Sequence, residues 1–230
     1  MIPESGKCAE EETTQGDRQE MTAYIWDLDG TLLDSYEVIT EAAALTAADE
    51  GIHDPSGHVL KAVKQGSVTA YMQEISSRCG KPVGELFEQY RQYTHRLDDR
   101  IRLISGAKET LEELQVLGAE HFVYTHRGSS SVPILKRLEI LDCFREVVTS
   151  EYGLAKKPSG EGVRYLLGKY NLDPEKTWYV GDRTLDVLCA KDAGVRALLY
   201  LEPDTCVSAT GREDRIVHDL REIAAKQAGE

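Results

Sequence analysis

Two closely spaced carboxylates follow a short apolar stretch near the start of the chain. Residues 24–35 read YIWDLDGTLLDS, in which Asp27 and Asp29 are separated by one residue and precede Gly30 and Thr31. Alternate side chains of a strand point to the same side, so two such carboxylates at a glycine-containing strand end can face one ligand. Backbone N–H groups exposed in such a turn attract anions. The pattern therefore predicts a site for a metal ion together with a phosphate group.

Polar residues also follow later apolar stretches of the chain. Thr125 follows HFVY, Lys157 precedes a proline at the start of an expected helix, and Asp182 and Asp186 lie within GDRTLD after TWYV. Because the carboxyl ends of parallel strands meet at one edge of a sheet, we expect these groups to share a rim with the first two carboxylates.

This set of groups indicates a particular chemistry. Four clustered carboxylates repel one another unless a cation lies among them, and Mg²⁺ is a hard ion that prefers oxygen ligands. The Thr125 hydroxyl and the Lys157 ammonium are suited to orient a phosphoryl group and neutralise its charge. We therefore predict Mg²⁺ as cofactor and phosphoryl transfer to a carboxylate nucleophile, which would form an aspartyl-phosphate.

The elements that must position these residues alternate between helix and strand. Such alternation predicts an α/β fold with a doubly wound parallel sheet of about five strands, whose ligands lie beyond the carboxyl ends of the strands. The apolar stretches predict strands at 23–27, 121–125, 146–149, 177–181 and 195–201.

Three regions differ in pattern. Residues 35–99 show helical periodicity with turn signals between the segments, which predicts an inserted, all-helical cap domain. The α/β core is expected to comprise residues 21–34 and 100–230. Residues 1–20 are acidic and contain few apolar side chains, so we predict a disordered N-terminal extension.

Composition excludes several classes of function. A formal net charge of −13 disfavours a nucleic-acid partner, which would require clustered basic residues. The sequence contains no long apolar run and no signal-peptide pattern, which predicts a cytoplasmic protein without a membrane segment. Its 5 cysteines form no Cys-x-x-Cys pair, so neither a disulfide framework nor a zinc site is indicated. We expect a monomer or a homodimer.

The order and spacing of these motifs resemble those of the haloacid dehalogenase superfamily of phosphohydrolases. Its Asp-x-Asp-Gly-Thr motif is matched by residues 27–31, and its strand ending in Thr or Ser by Thr125. Its lysine before a helix is matched by Lys157, and its Gly-Asp-x-x-x-Asp motif by residues 181–186. The resemblance covers residues 22 to about 201. The helical insertion resembles the C1-type cap of the phosphoglycolate-phosphatase-like branch.

The resemblance implies roles for individual residues. Asp27 would attack phosphorus, and Asp29 would protonate the leaving alcohol and then deprotonate the water that hydrolyses the phosphoenzyme. Thr125 and Lys157 would bind the phosphoryl oxygens. The implied ligands of Mg²⁺ are the Asp27 carboxylate, the backbone carbonyl of Asp29, Asp182 and, directly or through water, Asp186.

The sequence departs from the family after Thr125, where relatives commonly carry Asn or Ser. His126 and Arg127 occupy these positions and are candidate substrate contacts, although His126 fits a structural hydrogen bond equally well. The favoured interpretation is a Mg²⁺-dependent phosphomonoester hydrolase acting on a small phosphorylated metabolite. A phosphomutase of the β-phosphoglucomutase type is the alternative, and a non-catalytic phosphate-binding protein is a third. Asp29 disfavours a dehalogenase, because a halide leaving group requires no acid.

Overall fold

The computed structural model describes residues 21–202 and 205–227, which form a parallel sheet of six strands and a separate two-stranded antiparallel pair. The strands are β1 Ala23–Trp26, β2 Leu33–Asp34, β3 Arg102–Leu103, β4 Glu120–Tyr124, β5 Phe144–Val148, β6 Thr177–Gly181, β7 Arg196–Tyr200 and β8 Arg215–Val217. The order across the large sheet is β5-β4-β1-β6-β7-β8, and β2 pairs with β3.

Helices connect these strands. They are α1 Tyr36–Asp49, α2 Ser56–Lys61, α3 Val68–Cys79, α4 Val83–Leu97, α5 Ala107–Val116, α6 Ser131–Arg137, α7 Glu161–Tyr170, α8 Thr184–Ala193 and α9 Arg221–Gln227. The first four lie between β2 and β3, so the pairing of these two strands joins the two ends of the helical insertion. Within the described ranges, no helix combines the length and the apolar content that crossing a bilayer requires.

The large sheet is covered on both faces. Tyr24 and Trp26 of β1 belong to one apolar cluster, whereas Ala23 and Ile25 belong to another. Because side chains alternate along a strand, the two clusters lie on opposite faces of the sheet. A strand buried on both sides has an almost continuous apolar sequence, as Ala-Tyr-Ile-Trp shows.

The inserted helices have an apolar core of their own. Ile39 and Ala43 of α1 pack with Val59 of α2, Met72 of α3 and Leu86 of α4, and all five side chains are buried. The predicted fold class, a doubly wound α/β sheet with an inserted helical segment, is confirmed. The proposed boundaries of core and cap stay a prediction, and the extension expected at 1–20 lies outside the described residues.

Two parts of the sheet structure were not predicted. The strand β8 adds a sixth member to the large sheet by pairing with β7, and β2 and β3 form the antiparallel pair. These strands have only three, two and two residues, respectively. A segment of that length is too short to show a two-residue periodicity, so its pairing depends on its neighbours in space.

The strand order sets the position of the polar residues. β1 lies between β4 and β6, so Asp27, Thr125 and Asp182 each follow one of three adjacent strands. The backbone N–H of Asp27 donates to the Val180 carbonyl at 2.8 Å, which extends the β1–β6 pairing to the residue that carries the carboxylate. Such a rim is where ligands bind in doubly wound sheets.

Candidate active site

Three buried carboxylates form the centre of the site. Oxygen atoms of Asp27, Asp182 and Asp186 all lie within 4.8 Å of one another. The three residues are 1%, 4% and 1% exposed, respectively. Asp27 follows β1, Asp182 follows β6, and Asp186 lies in the first turn of α8. Residues far apart in the sequence are therefore brought together by the pairing of β1 with β6.

Lys157 forms ion pairs with two of these carboxylates. Its Nζ lies 2.7 Å from Asp186 Oδ1 and 3.0 Å from Asp27 Oδ1, and its side chain is fully buried. The rings of Tyr124 and Tyr179 lie beside this ammonium, with centroids 5.9 and 5.5 Å from Nζ. The aromatic faces and the two carboxylates compensate the lysine for the loss of water.

The electrostatics of the site favour an additional cation. Burial, together with the neighbouring Asp186, raises the pKa of Asp182 to about 7. Burial also raises the pKa of Asp27, against the opposing charge of Lys157. Although burial acts in the opposite direction, the two carboxylates raise the pKa of Lys157. The lysine therefore stays charged, and it neutralises only part of the negative charge of the cluster.

An unsatisfied oxygen supports the same conclusion. Oδ2 of Asp27 is buried and has no hydrogen-bond partner among the residues that the structure describes. A buried carboxylate oxygen without a partner is unfavourable unless an ion or water satisfies it. Three carboxylates offer the hard oxygen ligands of a divalent cation, so the residues present fit a metal ion.

The loop after β1 and the first residue of α1 both contact Asp182. The Tyr36 hydroxyl donates to Asp182 Oδ2 at 2.9 Å, and the Thr31 hydroxyl lies 3.5 Å from Oδ1. Gly30 has a φ of +80°, and a Cβ there would lie 2.2 Å from Tyr36 Cε2 and 2.5 Å from Asp182 Oδ2. Position 30 therefore requires glycine, because a side chain there would meet both an unfavourable backbone conformation and its neighbours.

Asp29 has a different environment from Asp27. Its Oδ1 accepts hydrogen bonds from the Ser35 hydroxyl at 2.7 Å and from Arg127 Nη2 at 2.7 Å. Burial alone would raise the pKa of Asp29, but the Arg127 guanidinium and Ser35 hold it below its ordinary value. The Asp29 side chain is not part of the three-carboxylate cluster. Its predicted contribution to the metal, through the backbone carbonyl, stays a prediction.

The segment after β4 contains the remaining predicted residues. Thr125 is buried, and its Oγ1 accepts from the backbone N–H of Arg127 at 3.1 Å. Nε2 of His126 accepts from the backbone N–H of Lys157 at 2.8 Å, and burial together with that lysine lowers the pKa of His126 to about 4. Both His126 and Arg127 thus have protein partners, and substrate contact by either stays a prediction.

Sequence reasoning missed three residues of the site. Tyr36 contacts Asp182, and Ser35 contacts Asp29. Both residues directly follow β2, the short strand after the Asp-x-Asp-Gly-Thr motif. Arg183 follows Asp182 and interacts electrostatically with all three clustered carboxylates. Its Nε is buried and lacks a hydrogen-bond partner within the described ranges. The available signal for Arg183 was a basic residue inside the Gly-Asp-x-x-x-Asp motif.

Comparison with known proteins agrees with this geometry. The family model described as haloacid dehalogenase-like hydrolase matches residues 24–200. A phosphoglycolate phosphatase of Vibrio vulnificus (strain CMCP6) is 32% identical over 192 residues, which are 77% of this chain and 82% of the relative. The pyrophosphatase PpaX of Bacillus velezensis is 30% identical over 178 residues, covering 76% of this chain and 81% of that protein.

A solved structure shows the same fold. The crystal structure of a predicted phosphoglycolate phosphatase from Haemophilus somnus 129PT superposes with a TM-score of 0.77. The two proteins are 23% identical, and the match covers 91% of this chain and 99% of that one. The inserted helices are therefore included in the shared architecture.

Proposed function

The chain belongs to the haloacid dehalogenase-like hydrolase family as an enzyme of the phosphatase type, and we propose that it is a Mg²⁺-dependent phosphomonoesterase that forms an aspartyl-phosphate on Asp27. One observation carries the proposal. The buried carboxylates of Asp27, Asp182 and Asp186 lie within 4.8 Å of one another, and Asp27 retains a buried oxygen without a partner.

The metal would be held by the three clustered carboxylates. When bound, Mg²⁺ would neutralise their mutual repulsion and draw charge from the phosphoryl oxygens. The backbone carbonyl of Asp29 belongs to the proposed ligand set as well. Asp186 would ligate directly or through water, since one of its oxygens already pairs with Lys157.

In the first step, an Asp27 oxygen forms a bond to phosphorus while the bond from phosphorus to the ester oxygen breaks. Asp29 supplies the proton that the departing alkoxide takes, so the products of this step are an alcohol and the aspartyl-phosphate. Lys157 offsets negative charge at the Asp27 carboxylate, and the Thr125 hydroxyl donates to a phosphoryl oxygen.

In the second step, water attacks the phosphorus of the aspartyl-phosphate. Asp29, now a carboxylate, takes a proton from that water, and the bond between phosphorus and the Asp27 oxygen breaks. Inorganic phosphate leaves and both aspartates return to their starting states. The low pKa of Asp29 that Arg127 and Ser35 maintain favours the carboxylate form, which this second step requires, so the first step draws on the less populated protonated form.

The substrate we propose is a small phosphorylated metabolite. The Vibrio relative is named for phosphoglycolate and the Bacillus relative for pyrophosphate, and both of these compounds carry a further anionic group beside the phosphoryl group that is transferred. The inserted helices would close over the substrate and exclude water. We also propose that the protein is a cytoplasmic monomer or homodimer and that it has no nucleic-acid partner.

The test is release of inorganic phosphate from 2-phosphoglycolate, pyrophosphate and a panel of phosphomonoesters without a second anionic group. Each reaction is run with Mg²⁺ and with EDTA, using wild-type protein and Asp27→Asn. The proposal expects release that requires both Mg²⁺ and Asp27. An isomerised sugar phosphate in place of free phosphate would indicate the mutase alternative, and binding without turnover would indicate a phosphate-binding protein.

A further inference from the structure

Arg127 lies at the centre of a buried ionic network next to the site. Its Nε lies 3.0 Å from Asp29 Oδ1 and 3.3 Å from Oδ2, and its Nη2 lies 2.7 Å from Oδ1. Its Nη1 lies 3.3 Å from Asp98 Oδ1 and 3.2 Å from Ser130 Oγ. The Arg127 side chain is 7% exposed, so these ionic contacts are shielded from solvent.

The network joins three separate parts of the chain. Asp29 belongs to the loop after β1, Arg127 to the segment between β4 and α6, and Asp98 directly follows α4, the last inserted helix. Tyr90 of α4 interacts electrostatically with all three charged groups. The guanidinium thereby connects the Asp29 carboxylate of the core to the end of the helical insertion.

We propose that Arg127 is a positioning residue, which holds the Asp29 carboxylate in one orientation and couples that orientation to the end of α4. The inference rests on the proposed function, in which Asp29 gives a proton to the leaving group. A proton donor must lie within hydrogen-bond reach of the atom that receives the proton, so loss of orientation slows this transfer. A substrate whose leaving group departs without a proton would not need the contact in the first step, which kcat/KM reports. The later hydrolysis of the aspartyl-phosphate, in which Asp29 takes a proton from water, is common to all substrates.

The shape of arginine is essential to this role. A guanidinium offers two parallel donors to one carboxylate and retains a further donor for a second partner. Arg127 uses Nε and Nη2 toward Asp29 and Nη1 toward Asp98 and Ser130. The ammonium of lysine is a compact charge that cannot reproduce this fork. We therefore expect Arg127→Lys to restore only part of the function that Arg127→Gln removes.

The experiment compares two leaving groups. The kcat/KM values for 2-phosphoglycolate, whose alkoxide needs a proton, and for 4-nitrophenyl phosphate, whose phenolate does not, are measured for wild type, Arg127→Gln and Arg127→Lys. We expect Arg127→Gln to lower the value for the alkyl ester by about 10- to 100-fold through kcat, and that for the aryl ester less than about threefold. Arg127→Lys should fall between wild type and Arg127→Gln.

Arg137 supplies a matched control at the same junction. Its Nη2 donates to the backbone carbonyls of Asp98 and Ile101, each at 2.9 Å. These hydrogen bonds stabilise the segment after α4, and none of them involves Asp29. Arg137→Gln should leave the ratio of alkyl to aryl kcat/KM unchanged. Asp98→Asn weakens the ion pair between Arg127 and Asp98, so it should lower that ratio by a smaller factor than Arg127→Gln.

The outcomes separate this inference from the proposed function. If the wild type hydrolyses neither ester, the proposed function fails. If the wild type is active and Arg127→Gln lowers both kcat/KM values by the same factor, or raises either one, the positioning role is wrong. Should Arg127→Gln fail to fold by circular dichroism, Arg127→Lys and Asp98→Asn decide by the same ratio, and an unchanged ratio in both overturns the inference.

Discussion

Two groups of potential metal ligands occur in the described part of the chain, and they differ in residue types, burial and neighbours. The first group, Asp27, Asp182 and Asp186, lies at the carboxyl edge of the large sheet, whereas the second, Asp54, His58 and Glu74, lies in the helical insertion. Each group places its ligand atoms within 4.8 Å of one another. The first is buried, and the second is largely exposed.

The insertion group is already satisfied by its neighbours. Arg78 Nη1 lies 2.7 Å from Asp54 Oδ2 and 3.3 Å from Glu74 Oε1, and the Tyr71 hydroxyl donates to Asp54 Oδ2 at 3.1 Å. The Arg78 hydrogen bond lowers the pKa of Asp54, which is the opposite of the shift at Asp27 and Asp182. Spacing of acidic residues therefore does not distinguish the two groups as candidate metal sites, whereas burial and an unsatisfied oxygen do.

The largest effect is expected from removing the proposed nucleophile. Asp27→Asn should lower kcat by at least about 1,000-fold, because an amide cannot form the aspartyl-phosphate. Phosphate release in the presence of Mg²⁺ measures this, with circular dichroism to show that the fold is intact. The matched change at the other group, Asp54→Asn, should keep kcat within about twofold. Comparable losses in the two variants would contradict the contrast between the groups.

The second prediction concerns metal binding itself. Adding Mg²⁺ should raise the melting temperature of the wild-type protein, since a ligand that binds the folded state stabilises it. Asp182→Asn should remove most of that increase, because it deletes one of the three buried carboxylates. Differential scanning fluorimetry with and without Mg²⁺ measures the shift, and Glu74→Gln is the control that should retain it. If Asp182→Asn keeps the Mg²⁺-dependent increase in melting temperature, the metal binds at another site.

The third prediction is a pH dependence that only the buried group should show. The pKa of Asp182 is raised from 3.8 to about 7 in the folded protein, so the folded state holds this proton more tightly than the unfolded state. The resulting stability is present below pH 4 and is lost as the pH rises through 7. Melting temperatures of the EDTA-treated protein should therefore show a downward component between pH 5 and 8 that Asp182→Asn lacks.

The smallest effect is expected at the exposed group. Arg78→Met removes the ion pairs with Asp54 and Glu74, in which the Arg78 side chain is 41% exposed. Exposed pairs contribute little, so the melting temperature should fall by less than about 4 °C and kcat should stay unchanged. Thermal denaturation together with the phosphate-release assay checks both values. A large loss of activity would show that this part of the insertion acts on the site.

Much of the buried site was accessible from the sequence because its residues occur at strand ends. Asp27, Thr125 and Asp182 were predicted from apolar stretches that end in polar residues, and Lys157 from its place before a proline at an expected helix start. The structure brings Asp27, Lys157 and Asp182 into one buried site. The five long strands were predicted for the same reason. The three short strands and the partners of Arg127 were not, since they depend on contacts between segments distant in the sequence.

The fold class, the order of the motifs, and the carboxylate and ammonium groups available at the rim all follow from the amino-acid sequence. Each of these follows from local patterns of apolar residues and turns, which the chain carries without reference to its neighbours. Only the packing of distant segments shows that Arg127 pairs with Asp29 and Asp98, that His126 accepts from a backbone N–H, and that the Asp54 group is neutralised by Arg78. Such charge pairing depends on distance and burial, and both arise only when remote segments pack together.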